Sequence, residues 1–260
     1  LQPTLVAGVP PDYFSETGQF WGNPIYNWEK VQQQDYRWWV QRFQAVLDAV
    51  DAVRIDHFRA FEAYWAIPAG ETTAMNGKWV TGPGEAFFDR VKEKLGKLPI
   101  MVEDLGIITP EVEALRDKYE FPGMKILQFA FSDGPAHPYL PLNYPRSCIV
   151  YTGTHDNETT LGWFEKLSQS EKNNILAYLG CTSSEGIHWD LIRLAFSSVA
   201  DLAIIPLSDI LGLGNSARMN DPSKNEGNWV WRYRPGALIE ELRDRLKTIT
   251  ETYNRAPYQD

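Results

Sequence analysis

Residues 53–59 read Val-Arg-Ile-Asp-His-Phe-Arg. The run Ala52-Val53-Arg54-Ile55 is a short apolar segment of the kind expected for a buried parallel strand, and it ends on an acid, Asp56. Ahead of it, Trp39, Phe43, Val46, Leu47 and Val50 keep the i, i+4, i+7, i+8, i+11 spacing of one helix face. Helix followed by strand, with a carboxylate at the strand's exit, is the unit from which the rest of the chain is read.

The unit recurs. Residues 98–102 form a second apolar run, ending at Glu103, and residues 84–95 before it carry Phe88, Val91 and Leu95 on one face, with Gly96 placed to end a helix. Thr109-Pro110 predicts a helix start, a capping hydroxyl followed by proline in the first turn, with Val112, Leu115 and Tyr119 pointing inward. Residues 124–131 read as a third strand, and residues 148–152 as a fourth that leads into His155-Asp156. Ser168 and Glu171 then have capping-box spacing ahead of Ile175, Leu176 and Leu179. A helix over residues 187–199 precedes a fifth run at 202–207, and a last helix from about Gly236 has Leu238, Leu242, Leu246 and Ile249 in register.

Alternating strands and helices predict an α/β fold with five parallel-type strands. A closed parallel barrel needs eight strands, and the chain starts in a Pro-rich, loop-like segment. An open doubly wound sheet would usually bring a glycine-rich phosphate turn, and neither G-x-G-x-x-G nor G-x-x-x-x-G-K-[ST] occurs. The reading is an incomplete (β/α)8 TIM barrel, residues 1–260 being the C-terminal part of one catalytic domain that lacks roughly its first three strands.

Composition narrows the function. The 260 residues are 43% hydrophobic, enough for a sizeable core, and 34 acidic against 25 basic residues give a formal charge of -9. Such a surface repels phosphate backbones and anionic lipid, so neither nucleic acid nor membrane is an expected partner. No stretch approaches the roughly 20 apolar residues of a membrane span, and LQPTLVAGVPPDYF lacks the basic head and apolar core of a signal peptide. The chain reads as soluble. Cys148 and Cys181 are too few for a disulfide framework and read as small core residues. Ten Trp, 12 Tyr and 12 Phe beside an acidic surplus permit sugar recognition, since rings stack on the apolar faces of sugars and carboxylates bind their hydroxyls, but most aromatics belong to cores.

Asp56, Glu103 and Asp156 share one context, the C-terminal end of an apolar strand, where barrel enzymes place catalysts. Read separately, each acid serves as readily to cap a helix or face solvent. Read together, they supply what retaining cleavage of a glycosidic bond needs: a nucleophilic carboxylate and a second carboxyl that first donates and then accepts a proton. Arg54 lies two residues before Asp56, on the same face of a strand, and can keep that carboxylate ionised, so Asp56 is the nucleophile candidate. Glu103 has no basic neighbour in its own strand, and the adjacent Asp104 would raise its pKa, so Glu103 is the acid/base candidate. Asp156, beside His155, would hold ring hydroxyls of the distorted sugar. A metal site built on His57, His155, Asp56 and Asp156 is the competing reading, weakened by the lack of H-x-H, H-E-x-x-H or a thiolate pair. Asn157-Glu158-Thr159 matches a glycosylation acceptor, which without a signal peptide reads as coincidence.

The strings VAGVPPDYFSETGQFWGNPIYNW at 6–28, VRIDHFR, MVEDLG at 101–106, YTGTHDNE at 151–158, ARMNDPS at 217–223 and GNWVWR at 227–232 occur in one order along nearly the whole chain. Together they closely resemble the amylomaltases, or 4-α-glucanotransferases. The resemblance implies an α-amylase-type (β/α)8 barrel without a cofactor. It implies transfer of α-1,4-glucan segments among malto-oligosaccharides and starch- or glycogen-derived glucans, or to glucose as acceptor, in the cytoplasm or in a plastid. It assigns Asp56 as nucleophile, Glu103 as acid/base and Asp156 as transition-state stabiliser, supported by Arg54 and His155. It further implies a glucan-binding loop at Asp12, Tyr13 and Phe14 and subsite contacts at Phe129, Asp133 and Asn220, with Trp21 a further candidate. Core packing remains open for Tyr13, Phe14 and Trp21, and a turn ahead of Asp221-Pro222 remains open for Asn220. A retaining α-glucan hydrolase and a non-catalytic glucan-binding remnant stay as alternatives.

Overall fold

A computed structural model describes residues 2–12, 15–132, 134–224 and 226–256, so Tyr13, Phe14 and Asp133 lie outside the described residues. The chain forms two compact units, residues 1–123 and 124–260.

In the first unit, β1 (Leu5–Val9) and β2 (Gln19–Pro24) are followed by α1 (Trp28–Gln33), α2 (Arg37–Leu47) and β3 (Val53–Ile55). After β4 (Ala63–Pro68) and β5 (Lys78–Thr81) come α3 (Gly84–Leu95), β6 (Ile100–Val102) and α4 (Pro110–Lys118). Strands β3 and β6 are parallel, pairing Val53 with Ile100, Arg54 with Met101 and Ile55 with Val102. This pair is the one read from the two apolar runs.

The other four strands make an antiparallel sheet in the order β2-β1-β4-β5. Its first two strands lie where the prolines suggested loop. Pro10 and Pro11 fall just past β1, where proline's missing N–H breaks no ladder, and so punctuate the strand rather than exclude it. Gly8 lets the neighbouring strand close in, because a Cβ there would sit 2.2 Å from the carbonyl oxygen of Gln19.

The core of this unit is aromatic. Phe58, Phe87, Phe88, Val91, Val102 and Val112 are fully buried, with Leu95 and Tyr119 packed against them. Phe87 and Phe88 adjoin on α3 and meet edge to face at 5.0 Å, a contact the single-face spacing of Phe88, Val91 and Leu95 did not reveal. Truncating either ring to Ala in such a core costs about 3–5 kcal/mol. Gly96, at φ 76, ends α3 as expected. Thr109 takes the cap position of α4, but its side chain makes no capping hydrogen bond. Only Phe43 of the α2 face is buried; Val46 and Val50 are 40% and 45% exposed.

The second unit carries β7 (Gly123–Ile126), β8 (Cys148–Tyr151) and β9 (Leu202–Ile204), hydrogen-bonded in that order. Between and after them run α5 (Thr160–Lys166), α6 (Gln169–Leu179), α7 (Ile187–Ser197), α8 (Leu207–Ile210) and α9 (Glu240–Thr252). Strands β8 and β9 are parallel, with Ile149, Val150 and Tyr151 opposite Leu202, Ala203 and Ile204. The capping box at Ser168 and Glu171 is present in both directions.

Three sequence boundaries move. The third run leaves the strand at Leu127 for a short 3-10 turn, Leu127–Phe129. The fifth run stops at Ile204, because Pro206 cannot continue a ladder and instead precedes α8, which starts at Leu207. The last helix starts at Glu240, leaving Leu238 55% exposed. Cys148 is buried as expected, whereas Cys181 is exposed. Among the described residues, no helix is long and apolar enough to cross a membrane.

Candidate active site

In the first unit the parallel register brings Asp56 and Glu103 to adjacent positions, each directly following the last matched pair, Ile55 and Val102. The ladder continues past them: Glu103 N–H donates to the Ile55 carbonyl at 2.8 Å, and Phe58 N–H donates to the Glu103 carbonyl at 3.0 Å. Neighbouring strands stand about 4.8 Å apart, so the two carboxylates leave the sheet side by side.

Their surroundings differ in the sense acid/base chemistry needs. Asp56 is 78% exposed and its Oδ1 pairs with Arg54 Nη1 at 2.8 Å, the same-face contact read from the two-residue spacing. Glu103 is held inward by two main-chain donors, His57 N–H to Oε2 at 2.7 Å and Leu105 N–H to Oε1 at 2.9 Å. Burial pushes its pKa above the ordinary glutamate value, the two N–H donors pull against that, and the charge of Asp56 adds to the rise. The neighbour that matters is therefore Asp56. Asp104, which the sequence reading made responsible, is turned away and paired with Arg116 Nη1 at 2.7 Å.

His57 completes this group and was not assigned a role from the sequence beyond the metal alternative. Its backbone is left-handed, at φ 49, which is how the residue directly after Asp56 aims its N–H back at Glu103. Burial, helped by Arg59, lowers its imidazole pKa to about 4 against an opposing pull from Asp56. The ring meets Trp21 edge-on at 4.7 Å. Trp21, on β2, is 42% exposed and joins Tyr26, Trp28, Trp39, Tyr64, Asp56 and His57 in lining a cavity of about 450 Å³. An apolar, aromatic wall beside the Asp56 carboxylate suits a ligand with apolar faces and hydroxyl edges. Asp12 accepts from Ser15 N–H at 2.8 Å and so shapes the turn ahead of β2.

In the second unit, β8 runs into the turn that presents His155 and Asp156. Asn157 Oδ1 accepts from both the N–H and the hydroxyl of Thr154, at 2.8 Å each, and Thr154 Oγ1 accepts from Asp156 N–H at 3.2 Å. The asparagine of the apparent glycosylation pattern is thus spent on shaping this turn. Below it Asp209, 1% exposed, accepts from Thr152 Oγ1 at 2.6 Å, Thr160 N–H at 2.8 Å and Thr160 Oγ1 at 2.7 Å. Three buried donors converging on one carboxylate fix the exit of β8 to the starts of α5 and α8.

Asp156 itself accepts from Asn220 Nδ2 at 2.5 Å and lies 3.2 Å from His155 Nε2. Asn220 N–H also donates to the His155 carbonyl at 3.0 Å, so this asparagine is a structural partner of the acid and not merely a turn residue. Arg218 donates to the main-chain oxygens of Asp156 and Asn220, at 2.7 and 2.9 Å. Phe129, 41% exposed, ends the 3-10 turn after β7 and meets Tyr139 edge-on at 5.8 Å. Among the described residues no group of three or more His, Cys, Asp or Glu side chains is arranged to hold a metal ion.

The family described as 4-alpha-glucanotransferase matches residues 1–238. A 4-alpha-glucanotransferase of Synechocystis is 56% identical over 259 residues, which are 99% of this chain and 51% of that protein. One from Thermus thermophilus is 51% identical over 261 residues, 98% and 52% of the two. The chain superposes on the amylomaltase from Streptococcus agalactiae in complex with acarbose with a TM-score of 0.95 at 42% identity, covering 98% of this chain and 52% of that one. The chain spans about half the length of the relatives it matches. Its fold is accordingly α/β and part of an α-amylase-type TIM barrel.

Proposed function

Because the chain belongs to the 4-alpha-glucanotransferase family, we propose that the protein moves α-1,4-glucan segments between malto-oligosaccharides, or onto glucose, by retaining double displacement. The observation that carries this reading is the in-register adjacency of Asp56 and Glu103 at the ends of β3 and β6. Retaining enzymes hold their two carboxyls about 5–5.5 Å apart, close to one strand spacing, whereas inverting enzymes need about 6.5–9.5 Å to admit water between them.

Asp56, paired with Arg54, attacks the anomeric carbon while Glu103 protonates the departing glycosidic oxygen, leaving a glycosyl ester on Asp56. Glu103, now ionised, then takes the proton of an incoming 4-hydroxyl, which attacks the anomeric carbon from the face the leaving group departed, expels the Asp56 carboxylate and restores the α configuration. The raised proton affinity of Glu103 serves the first half, and its two N–H donors keep the conjugate base soluble in its pocket for the second. Asp156, with His155 and Asn220, binds ring hydroxyls of the flattened sugar. Asp12, Tyr13, Phe14, Trp21, Phe129 and Asp133 belong to the same proposal as glucan contacts.

Transfer prevails over hydrolysis where an acceptor sugar reaches the ester before water does. The aromatic cavity beside Asp56 and His57 favours a sugar face over water and supplies that bias. Starch- or glycogen-derived glucans are the proposed donors, and the cytoplasm, or a plastid in a plant or alga, the proposed setting. Incubation with maltotriose tests the reading. A transferase gives glucose and a ladder of longer chains, and a product mixture of shorter sugars alone would replace it with the hydrolase reading. Turnover unaffected by Asp56→Asn would overturn the catalytic assignment.

A further inference from the structure

The loop that follows Asn220 places an indole where the proposed function assigns none. Trp229 lies against His155, with ring centroids 5.2 Å apart and planes inclined by 36°, yet 54% of the residue is open to solvent. Its backbone is left-handed, at φ 64, a region that a bulky side chain disfavours and glycine suits. The turn needs only the main chain at this point, where Trp229 N–H donates to the Met219 carbonyl at 2.7 Å. The indole is thus present despite the turn, which points to a task for the ring.

The surroundings fix the backbone on either side of that ring. Asn228 Oδ1 accepts from Asp221 N–H at 2.8 Å, and its amide donates to the Lys224 carbonyl at 2.9 Å, closing the loop on itself. Arg218 ties the same loop to the main chain of Asp156. Asp156, Asn220, His155 and Trp229 therefore form one fixed group: a half-open carboxylate and an amide as hydroxyl partners, with an open aromatic face alongside.

We infer that Trp229 is a stacking platform for a glucose ring whose hydroxyls are bound by Asp156 and Asn220, making it a further sugar-binding residue of the protein. The inference rests on the proposed function and adds to it the apolar face of that subsite. A ring with two hydroxyl-binding groups at its edge and an indole under its face is fixed in both orientation and height, which a carboxylate alone does not achieve.

The test compares Trp229→Gly and Trp229→Phe with wild type in maltotriose disproportionation, following KM, kcat and the thermal midpoint. Glycine relieves the left-handed strain, so the midpoint of Trp229→Gly stays level or rises. Its KM rises about five- to tenfold, the range of an aromatic stacking contact, with kcat changed by less than about threefold. Trp229→Phe restores most of the KM. An unchanged KM in Trp229→Gly, a loss confined to kcat, or a lowered midpoint in both variants overturns the inference. Wild-type protein that leaves maltotriose untouched overturns the functional reading first, and this inference with it.

Discussion

Taking the protein from pH 7 to pH 4 protonates His57 in the unfolded chain well before it does so in the folded one, because burial and Arg59 hold the folded pKa at about 4 against an ordinary 6.5. Between those values the unfolded state binds more protons, so stability is fully present above pH 6.5, falls as pH falls through the window, and loses nothing further to this group below pH 4. A gap of about 2.5 pKa units at 1.36 kcal/mol each puts the loss at about 3 kcal/mol. For a chain of this size that lowers the thermal midpoint by about 6–12 °C. Other groups titrate in the same range, so the informative quantity is a difference. His57→Asn removes the titration while accepting the left-handed backbone at φ 49. Thermal midpoints of both proteins, measured at half-unit steps from pH 7.5 to 4, should diverge below pH 6.5, wild type falling the faster. Parallel curves would show that His57 is not held neutral by its surroundings, and the electrostatic description of the Asp56–His57–Glu103 group would fail with it.

Other consequences follow from the same geometry. Glu103→Gln should lower kcat by about 10²–10⁴-fold on maltotriose and abolish the alkaline limb of the pH profile, which in wild type lies above that of an ordinary glutamate because burial raises the pKa. Asp209→Ala strands three buried donors, so we expect a loss of about 3–5 kcal/mol, seen as a thermal midpoint lowered by about 6–20 °C; a fall of under about 2 °C would mean the network under β8 contributes little. Arg116→Met leaves Asp104 buried without its guanidinium and should destabilise the first unit by about 2–4 kcal/mol in chemical denaturation, while Glu103 keeps its pKa, since the two acids have separate partners.

What the sequence disclosed, and what it hid, divides along physical lines. Asp56 and Glu103 were legible because a buried parallel strand leaves a continuous apolar run, and the residue at its exit is then conspicuous. The Arg54–Asp56 pair was legible because strand side chains alternate with period two. The antiparallel strands β1 and β2 were not: Pro10 and Pro11 made the short apolar run of β1 read as part of a loop, and β2, at the sheet edge and mostly exposed, has no apolar run at all. Burial is the main cause of the rise at Glu103, and the acid that adds to it was misplaced onto Asp104 because adjacency along the chain is not adjacency in space: successive strand residues face opposite ways, whereas register puts Asp56 next door. Asp209 gave no sequence signal, as its partners Thr152 and Thr160 lie 57 and 49 residues away. Trp229 stood within the string GNWVWR, but only the left-handed backbone and the open ring face show what it offers.

Covalent trapping puts the central assignment to its most direct trial. A glucosyl donor with an activated leaving group and a fluorine that slows deglycosylation, incubated with the Glu103→Gln protein, should leave one glucosyl unit on the peptide containing Asp56, located by mass spectrometry of the digest. Label on Glu103 or Asp156 in the wild type, or turnover with inversion and no ester at all, would contradict the assignment of Asp56 as nucleophile beside Glu103 as acid/base.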